Sequence, residues 1–184
     1  MIKESISEVN KLQSLSEGLL QIAQYQKPNI IKFEKISIEE VVGEAIKKIK
    51  PLATLKKIEI KNQVKNGSIN GNIYSLVDLL VIILDNAVKY SSKKRAIFIN
   101  SKKDKKNIHL SIKDQGIGID KKSLPHIFNR FYRADEARTK NGRDGYGLGL
   151  SIAKKIVSVH QGEIKMESKV GGGTTVTISL PVFS

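Results

Sequence analysis

The sequence contains no cysteine and no tryptophan, and aromatic residues make up only 5% of its 184 residues. Without cysteine the chain can form no disulfide, and it has neither a thiol nucleophile nor a thiolate metal ligand. Long hydrophobic runs are also missing, because Asp78 interrupts the most apolar stretch, which extends from Leu76 to Leu84. A membrane-spanning helix needs roughly 20 apolar residues. Thiol chemistry and a membrane span within this sequence are therefore excluded.

Acidic residues are scarce relative to basic ones, with 18 Asp and Glu against 32 Lys and Arg, which gives a formal net charge of +14. Nucleic acids and anionic membranes attract such diffuse positive charge, but a Lys-rich solvated surface produces the same composition. No recognised nucleic-acid motif is present, so we expect no nucleic-acid partner. Four of the five arginines lie close together, and the planar arginine fork suits phosphate recognition. They are Arg130, Arg133, Arg138 and Arg143.

Periodicity divides the chain into three parts. Apolar residues recur every three or four positions from Ile2 to Ile22, which predicts a lone N-terminal helix over residues 1–26. Pro28 ends that helix and opens a predicted linker over residues 27–35. Residues 36–184 alternate between strand and helix patterns, which predicts about six strands and three long helices in an α/β layered arrangement. The predicted helices cover Ile38–Ile49, Asn72–Tyr90 and Leu148–Val159, with a short one at Leu124–Phe131, and the predicted hairpins pair 97–99 with 108–112 and 163–168 with 174–180.

Two pairs of glycines stand where loops meet regular elements. Gly116 and Gly118 follow a predicted strand, whereas Gly147 and Gly149 open a predicted helix. Glycines at a helix N-terminus let backbone amides approach an anion, and the helix dipole adds partial positive charge. The familiar phosphate loops, Gly-x-x-x-x-Gly-Lys-Ser/Thr and a strand followed by Gly-x-Gly-x-x-Gly, are absent. The pattern therefore indicates an anion site of another type.

Asn86, Lys89 and Tyr90 fall at positions i, i+3 and i+4 of a predicted helix and so share one face. An amide oxygen, an ammonium group and an aromatic ring suit a metal ion, a phosphate and a base, respectively. An amphipathic surface helix with unrelated polar neighbours would show the same spacing, so the residues alone leave both interpretations open.

Five segments, in this order along the chain, resemble the nucleotide-binding boxes of sensor histidine kinases. They are Asn86-Ala87-Val88-Lys89-Tyr90-Ser91, Asp114-Gln115-Gly116-Ile117-Gly118-Ile119, Ile127-Phe128-Asn129-Arg130-Phe131-Tyr132-Arg133-Ala134-Asp135, Gly145-Tyr146-Gly147-Leu148-Gly149-Leu150 and Gly171-Gly172-Gly173-Thr174-Thr175. The resemblance implies the α+β fold that these kinases share with gyrase-type ATPases, a two-layer ATP-binding sandwich in which a mixed sheet packs on about three helices. It also implies ATP and Mg²⁺ as ligands and a lid between the third and fourth segments. It also implies that residues 1–26 are the second helix of a dimerisation hairpin.

The resemblance assigns a role to each matching residue. Asp114 would accept a hydrogen bond from the adenine amine and so select ATP over GTP, and Asn86 would offer its carbonyl oxygen to Mg²⁺. Lys89 would neutralise phosphate charge, Tyr90 would line the base or ribose side, and Arg133 would reach the γ-phosphate. Asn86, Lys89 and Arg133 are the expected catalytic residues, and the further nucleotide-binding residues are Gly116, Gly118, Ile119, Phe131, Gly145, Gly147, Leu148, Gly149, Leu150 and Thr175. Phe128 and Phe131 would hold the base of the lid by burial, and Arg138, Lys140 and Arg143 would be solvated lid charges.

Two features depart from the family pattern. The family usually has a second polar residue, often Asn, one turn before the metal-binding Asn, and this sequence has Ile82 there. The family also phosphorylates a histidine on the dimerisation hairpin, followed by an acidic residue, and none of His109, His126 and His160 fits. We therefore expect the phosphoacceptor helix to be absent from this chain, and we expect no autophosphorylation of the chain alone.

The first hypothesis is that the chain is the ATP-binding catalytic portion of a histidine kinase, acting on the hairpin of its own kinase and relaying phosphate to a response regulator. The expected full-length protein is a homodimer, and its catalytic portion is cytoplasmic, with any membrane anchor upstream. The alternative is a catalytically impaired nucleotide-binding regulatory module, which Ile82 favours. A gyrase- or chaperone-type ATPase is disfavoured, because those enzymes use an acidic residue near the position of Ile82.

Overall fold

The structure, a computed structural model, describes residues 32–65, 67–134 and 146–183, together with residues 9, 12, 13, 16, 18, 20 and 23. Each of the seven isolated residues is helical, in agreement with the helix predicted over residues 1–26, and Val9, Leu12 and Leu20 among them are exposed. Residues 27–31 of the predicted linker and residues 135–145 of the predicted lid lie outside the described residues. None of the described helices is both long enough and apolar enough to cross a membrane.

The elements follow one another in an alternating order. They are β1 (Glu34–Ser37), α1 (Ile38–Leu55), β2 (Glu59–Gln63), β3 (Ser68–Gly71), α2 (Ile73–Tyr90), β4 (Ala96–Lys103), β5 (Asn107–Lys113), a 3-10 turn (Leu124–His126), α3 (Gly149–Val159), β6 (Glu163–Lys169) and β7 (Gly173–Pro181). Five strands form a mixed sheet in the order β2-β4-β5-β7-β6, in which only the β2–β4 pair is parallel. β1 and β3 form a separate antiparallel pair.

The core lies between one face of the five-stranded sheet and the helices. Alternate residues of the central strands are buried on this face, among them Ile99, Leu110 and Ile178, because successive side chains of a strand point to opposite faces. α1 packs on α2, and α2 packs on α3, with their apolar stripes toward the sheet. The predicted fold class, an α+β two-layer sandwich with a mixed sheet and about three helices, is confirmed.

The small β1–β3 sheet was not predicted. Glu34 and Lys35, which the sequence pattern assigns to the linker, belong to β1 and pair with Gly71 and Asn70. The prediction of a short helix over Leu124–Phe131 is also wrong. A 3-10 turn covers only Leu124–His126, and non-helical turns follow it. Four-residue strands and isolated turns carry too few apolar residues to show a period.

α2 begins where the sequence predicts, because the Asn72 side chain accepts a hydrogen bond from the Ser75 N–H at 3.0 Å. The Asn72 backbone N–H donates to Nε2 of His160 at 3.1 Å, and Nδ1 of His160 lies 2.8 Å from the Ile156 carbonyl. Nε2 is therefore an acceptor and Nδ1 carries the proton, so His160 is neutral. Burial lowers the pKa of His160. This imidazole ties the start of α2 to the end of α3.

Candidate functional site

A cavity of about 450 Å³ opens between α2, the segment after β5 and the start of α3. Most of the residues that the sequence predicts for nucleotide binding line it. They are Asn86, Lys89, Tyr90, Asp114, Gly118, Ile119, Arg133, Gly147, Leu148, Gly149 and Leu150. Residues from four separate sequence regions thus meet at one site.

Asp114 directly follows β5 and is 8% exposed. Its Oδ1 accepts hydrogen bonds from the Gly116 N–H at 2.7 Å and from the Thr174 N–H at 3.2 Å. Burial raises the pKa of this carboxyl group, and the two backbone hydrogen bonds oppose that rise. Within the described residues, no donor is bonded to Oδ2. The carboxylate therefore has one oxygen held by the protein and one available to an N–H donor of a ligand.

Close backbone contacts fix two glycines that line the cavity. Gly118 has φ 73°, and a Cβ at this position would collide with the Lys169 carbonyl oxygen. Gly147 has φ 69°, and a Cβ there would lie 2.5 Å from the Tyr132 carbonyl oxygen. Both positions therefore require glycine, because L side chains rarely adopt this conformation and no space is left for one. The first contact holds the loop after β5 against Lys169, and the second holds the segment before α3 against Tyr132.

The last two turns of α2 bring polar groups to the cavity. Asn86, Lys89 and Tyr90 are half-buried and share one face, as predicted. The Lys89 ammonium lies 5.9 Å from the centre of the Tyr90 ring. Asp85 also lines the cavity and was not predicted. Burial raises the pKa of Asp85, whereas the nearby Lys89 and Lys56 lower it.

Ile82 lines the cavity one turn before Asn86. Its Cγ2 atom would be 3.3 Å from a Cβ placed on Gly149, so the isoleucine side chain lies against the start of α3. The predicted departure from the family pattern is thus located at the site itself. An apolar group occupies the place where a polar side chain could have contributed an oxygen.

Two side chains at the cavity carry oxygen atoms that fit a magnesium ion. Among the described residues, no cluster of three or more His, Cys, Asp or Glu side chains could hold a metal alone. Asn86 and Asp85 nevertheless place an amide and a carboxylate at the cavity, and Mg²⁺ prefers oxygen ligands while keeping several waters. Asp85 could have been found from the sequence, because it precedes Asn86 and stands four residues before Lys89.

α3 begins at Gly149, and its first residues line the cavity together with Gly147 and Leu148. The first amides of a helix have no intrahelical partners, and the helix dipole places partial positive charge there. The start of this 11-residue helix therefore suits an anionic group in the cavity.

Three of the predicted residues, Gly116, Phe131 and Thr175, do not line the cavity. Gly145 lies outside the described residues. Gly116 supports the site through its backbone, because its N–H donates to Oδ1 of Asp114. Thr175 points to the opposite face of the sheet from the buried Val176, and the cavity residue is its neighbour Thr174. Thr174 could have been found from the alternation of buried residues along β7.

The expectation that Phe131 is buried at the base of the lid is wrong. Phe131 is 54% exposed with φ 64°, and its N–H donates to the Gly147 carbonyl at 3.0 Å, so the backbone rather than the ring makes the contact. The buried side chain of this segment is Ile127, while Phe128 is half-buried beneath the Lys154 ammonium. Arg130 is exposed, and Arg138, Lys140 and Arg143 lie outside the described residues.

None of the three histidines lines the cavity. His109 lies on β5, where its ring nitrogens contact Asp104 and Ser179, each at 2.8 Å. His126 is exposed in the 3-10 turn, with its ring 5.6 Å from that of Tyr132. His160 is buried at the end of α3.

Comparisons with known proteins show which family and which fold this chain resembles. Residues 71–184 match the family described as histidine kinase-, DNA gyrase B-, and HSP90-like ATPase. The signal transduction histidine-protein kinase ArlS of Staphylococcus epidermidis is 36% identical over 181 residues, which cover 98% of this chain and 40% of that protein. The mycobacterial sensor histidine kinase MprB superposes with a TM-score of 0.72 at 26% identity, covering 82% of this chain and 97% of the solved chain.

A further solved structure, the histidine kinase ThkA in complex with the response regulator protein TrrA, has a TM-score of 0.76 at 20% identity. The match covers 95% of this chain and 49% of that one. The present chain thus spans about 40% of the length of the curated relative and about half of the ThkA chain.

Proposed function

Because the chain belongs to the family of histidine kinase-, DNA gyrase B- and HSP90-like ATPases, we propose that its cavity binds Mg-ATP and directs the γ-phosphoryl group to a histidine outside this chain. The observation that carries the proposal is Asp114, a buried carboxylate with one oxygen fixed by two backbone amides and the other available in the cavity.

Asp114 recognises the base. Its available Oδ2 accepts an N–H from the exocyclic amine of adenine, whereas the carbonyl oxygen of guanine at that position would face another acceptor. Ile117, Ile119 and Met166 provide apolar surface in the same cavity for a flat ring. The site therefore prefers ATP to GTP.

The other end of the cavity holds the phosphates. Lys89 and the amides at the start of α3 neutralise and hydrogen-bond their oxygens, and Arg133 adds a guanidinium from the segment before the lid. Asn86 and Asp85 would hold Mg²⁺ together with phosphate oxygens, and the ion supplies charge neutralisation when bound. Phe131 contributes through its backbone N–H, which holds the Gly147 carbonyl.

Transfer then depends on positioning and charge neutralisation. A neutral imidazole attacks in line, an N–P bond forms, the P–O bond to ADP breaks, and ADP leaves. The imidazole belongs to a two-helix dimerisation hairpin, of which residues 1–26 form part. The names of the relatives support this acceptor, and the ThkA–TrrA complex supports a response regulator as the next partner. The full-length protein would be a homodimer with this portion in the cytoplasm.

The test supplies the chain with γ-³²P-ATP, Mg²⁺ and a separately produced hairpin that carries the phosphoacceptor histidine. We expect acid-labile label on the hairpin, none on a hairpin with that histidine replaced by Gln, and none on the chain alone. Lys89→Met should reduce the labelling strongly, whereas Lys93→Met, a change of the same kind at an exposed position, should not. Label on His109, His126 or His160 would contradict the proposal.

A second function rests on Ile82. If this apolar side chain leaves the site with too few oxygens around Mg²⁺, the chain is a nucleotide-binding regulatory module that acts through a partner. The same experiment separates the two functions: a regulatory module would bind ATP and leave the hairpin unlabelled.

A further inference from the structure

The C-terminal end of α2 adjoins the cavity, and its backbone carbonyls need partners. The last turn of any helix leaves carbonyl oxygens without intrahelical donors. α2 ends at Tyr90, whose carbonyl accepts a hydrogen bond from the Ile117 N–H at 3.3 Å. The neighbouring carbonyls of Val88, Lys89 and Ser91 have a different partner.

That partner is the Lys56 ammonium, which comes from the residue that follows α1. Its Nζ atom lies 2.7 Å from the Val88 oxygen, 2.7 Å from the Lys89 oxygen and 3.3 Å from the Ser91 oxygen. A cation at this end of a helix also interacts favourably with the helix dipole. The backbone carbonyl of Lys56 accepts the Lys94 N–H at 3.2 Å, so both parts of this residue attach to the segment around the end of α2.

A carboxylate lies near this ammonium. Lys56 is half-buried, and its ammonium and that of Lys89 interact electrostatically with Asp85. The Asp85 carboxylate thus interacts with one ammonium fixed at the end of α2 and with another that lines the cavity. Lys56 itself is not among the residues that line the cavity.

We propose that Lys56 is a positioning residue for nucleotide binding: by holding the carbonyls of the last turn of α2, its ammonium sets Lys89 and Tyr90 in place relative to Asp114. The Ile117 N–H holds the Tyr90 carbonyl, and Ile117 belongs to the same loop as Asp114. Loosening the end of α2 therefore disturbs both sides of the cavity. The proposal rests on the proposed ATP-binding function.

The test compares three variants of the full chain. Lys56→Met keeps the aliphatic stem and removes the donors, whereas Lys56→Arg keeps a positive group that can donate to carbonyls. Lys57→Met is the matched control, because Lys57 is the exposed neighbour and its substitution changes the net charge by the same amount. ATP affinity is measured by calorimetry, folding by circular dichroism, and exchange of the Ser91 and Ile117 amides by nuclear magnetic resonance without nucleotide.

We expect Lys56→Met to bind ATP about tenfold more weakly, because charge-assisted hydrogen bonds that order the site are lost. The Ser91 and Ile117 amides should exchange faster in this variant, Lys56→Arg should restore most of the affinity, and Lys57→Met should match the unsubstituted chain. Unchanged ATP affinity in folded Lys56→Met would overturn the proposal, as would a fall in overall stability without a change in affinity. Failure of the unsubstituted chain to bind ATP would instead refute the proposed function.

Discussion

Replacing Asp114 by Asn tests how the cavity recognises its base. The position of Oδ1 faces two backbone N–H groups, from Gly116 and Thr174, so it requires an acceptor. The amide oxygen of an asparagine will therefore take that position, and its NH₂ group will take the position of Oδ2. Against an adenine amine, two donors then face each other.

The magnitude follows from this arrangement. A buried donor without an acceptor costs about 1–3 kcal/mol, so ATP should bind about 5- to 150-fold more weakly. Fold stability should change by less than about 1 kcal/mol, because both backbone hydrogen bonds to the Oδ1 position are kept. GTP should lose nothing or gain affinity, because the new NH₂ group can donate to the guanine carbonyl.

Calorimetric titration of the variant and the unsubstituted chain with Mg-ATP and Mg-GTP measures both effects. Asp78→Asn is the control, because Asp78 lies on α2 in a 3.8 Å surface ion pair with Lys48, away from the cavity. An unchanged ATP affinity in Asp114→Asn, or an equal loss for ATP and GTP, would refute the assigned role of Asp114.

Three further changes have defined outcomes. Ile82→Asn adds an oxygen beside Asn86, so Mg²⁺ should bind the ATP complex more tightly and transfer to the hairpin should speed up; unchanged Mg²⁺ dependence and turnover would contradict this role of Ile82. Gly118→Ala should lower the free energy of unfolding, measured in urea, by at least about 1–2 kcal/mol, because the left-handed backbone and the Lys169 carbonyl both oppose a Cβ. The control Gly43→Ala should not lower it, because a Cβ there meets nothing within 4 Å. The lowered pKa of His160 means that the unfolded chain binds more protons as pH falls below about 6.5. Stability should therefore decline on acidification through this range, and His160→Gln should flatten the decline; an equal slope in both proteins would contradict the buried neutral imidazole.

Much of the site could be predicted from the sequence because its residues lie at element ends that have clear signals. Asn72 caps α2, and the spacing of Asn86, Lys89 and Tyr90 places them on one face of that helix. Asp114 follows a strand with an alternating pattern, and it lines the cavity.

The rest depends on contacts between distant residues. No local pattern shows that the Lys56 side chain reaches the end of a helix more than 30 positions later. Phe131 is a large aromatic residue, a type that is usually buried. Its backbone is in the left-handed conformation, however, and its ring is exposed. Thr174 and Thr175 are the same residue type. Only the alternation of side chains between the two faces of β7 decides which of them faces the cavity.

The bond between Asp114 and Thr174 has a consequence for folding. The Asp114 N–H also donates to the Thr174 carbonyl at 2.9 Å, so Asp114 continues the β5–β7 ladder across 60 positions of sequence. Such non-local pairings close large loops and limit folding rates. The proposed base site is therefore complete only after β7 has docked. A nucleotide that binds there stabilises the native state through the pairing of β7, so ATP should protect the β5–β7 amides from exchange more than those of the distant β2 edge.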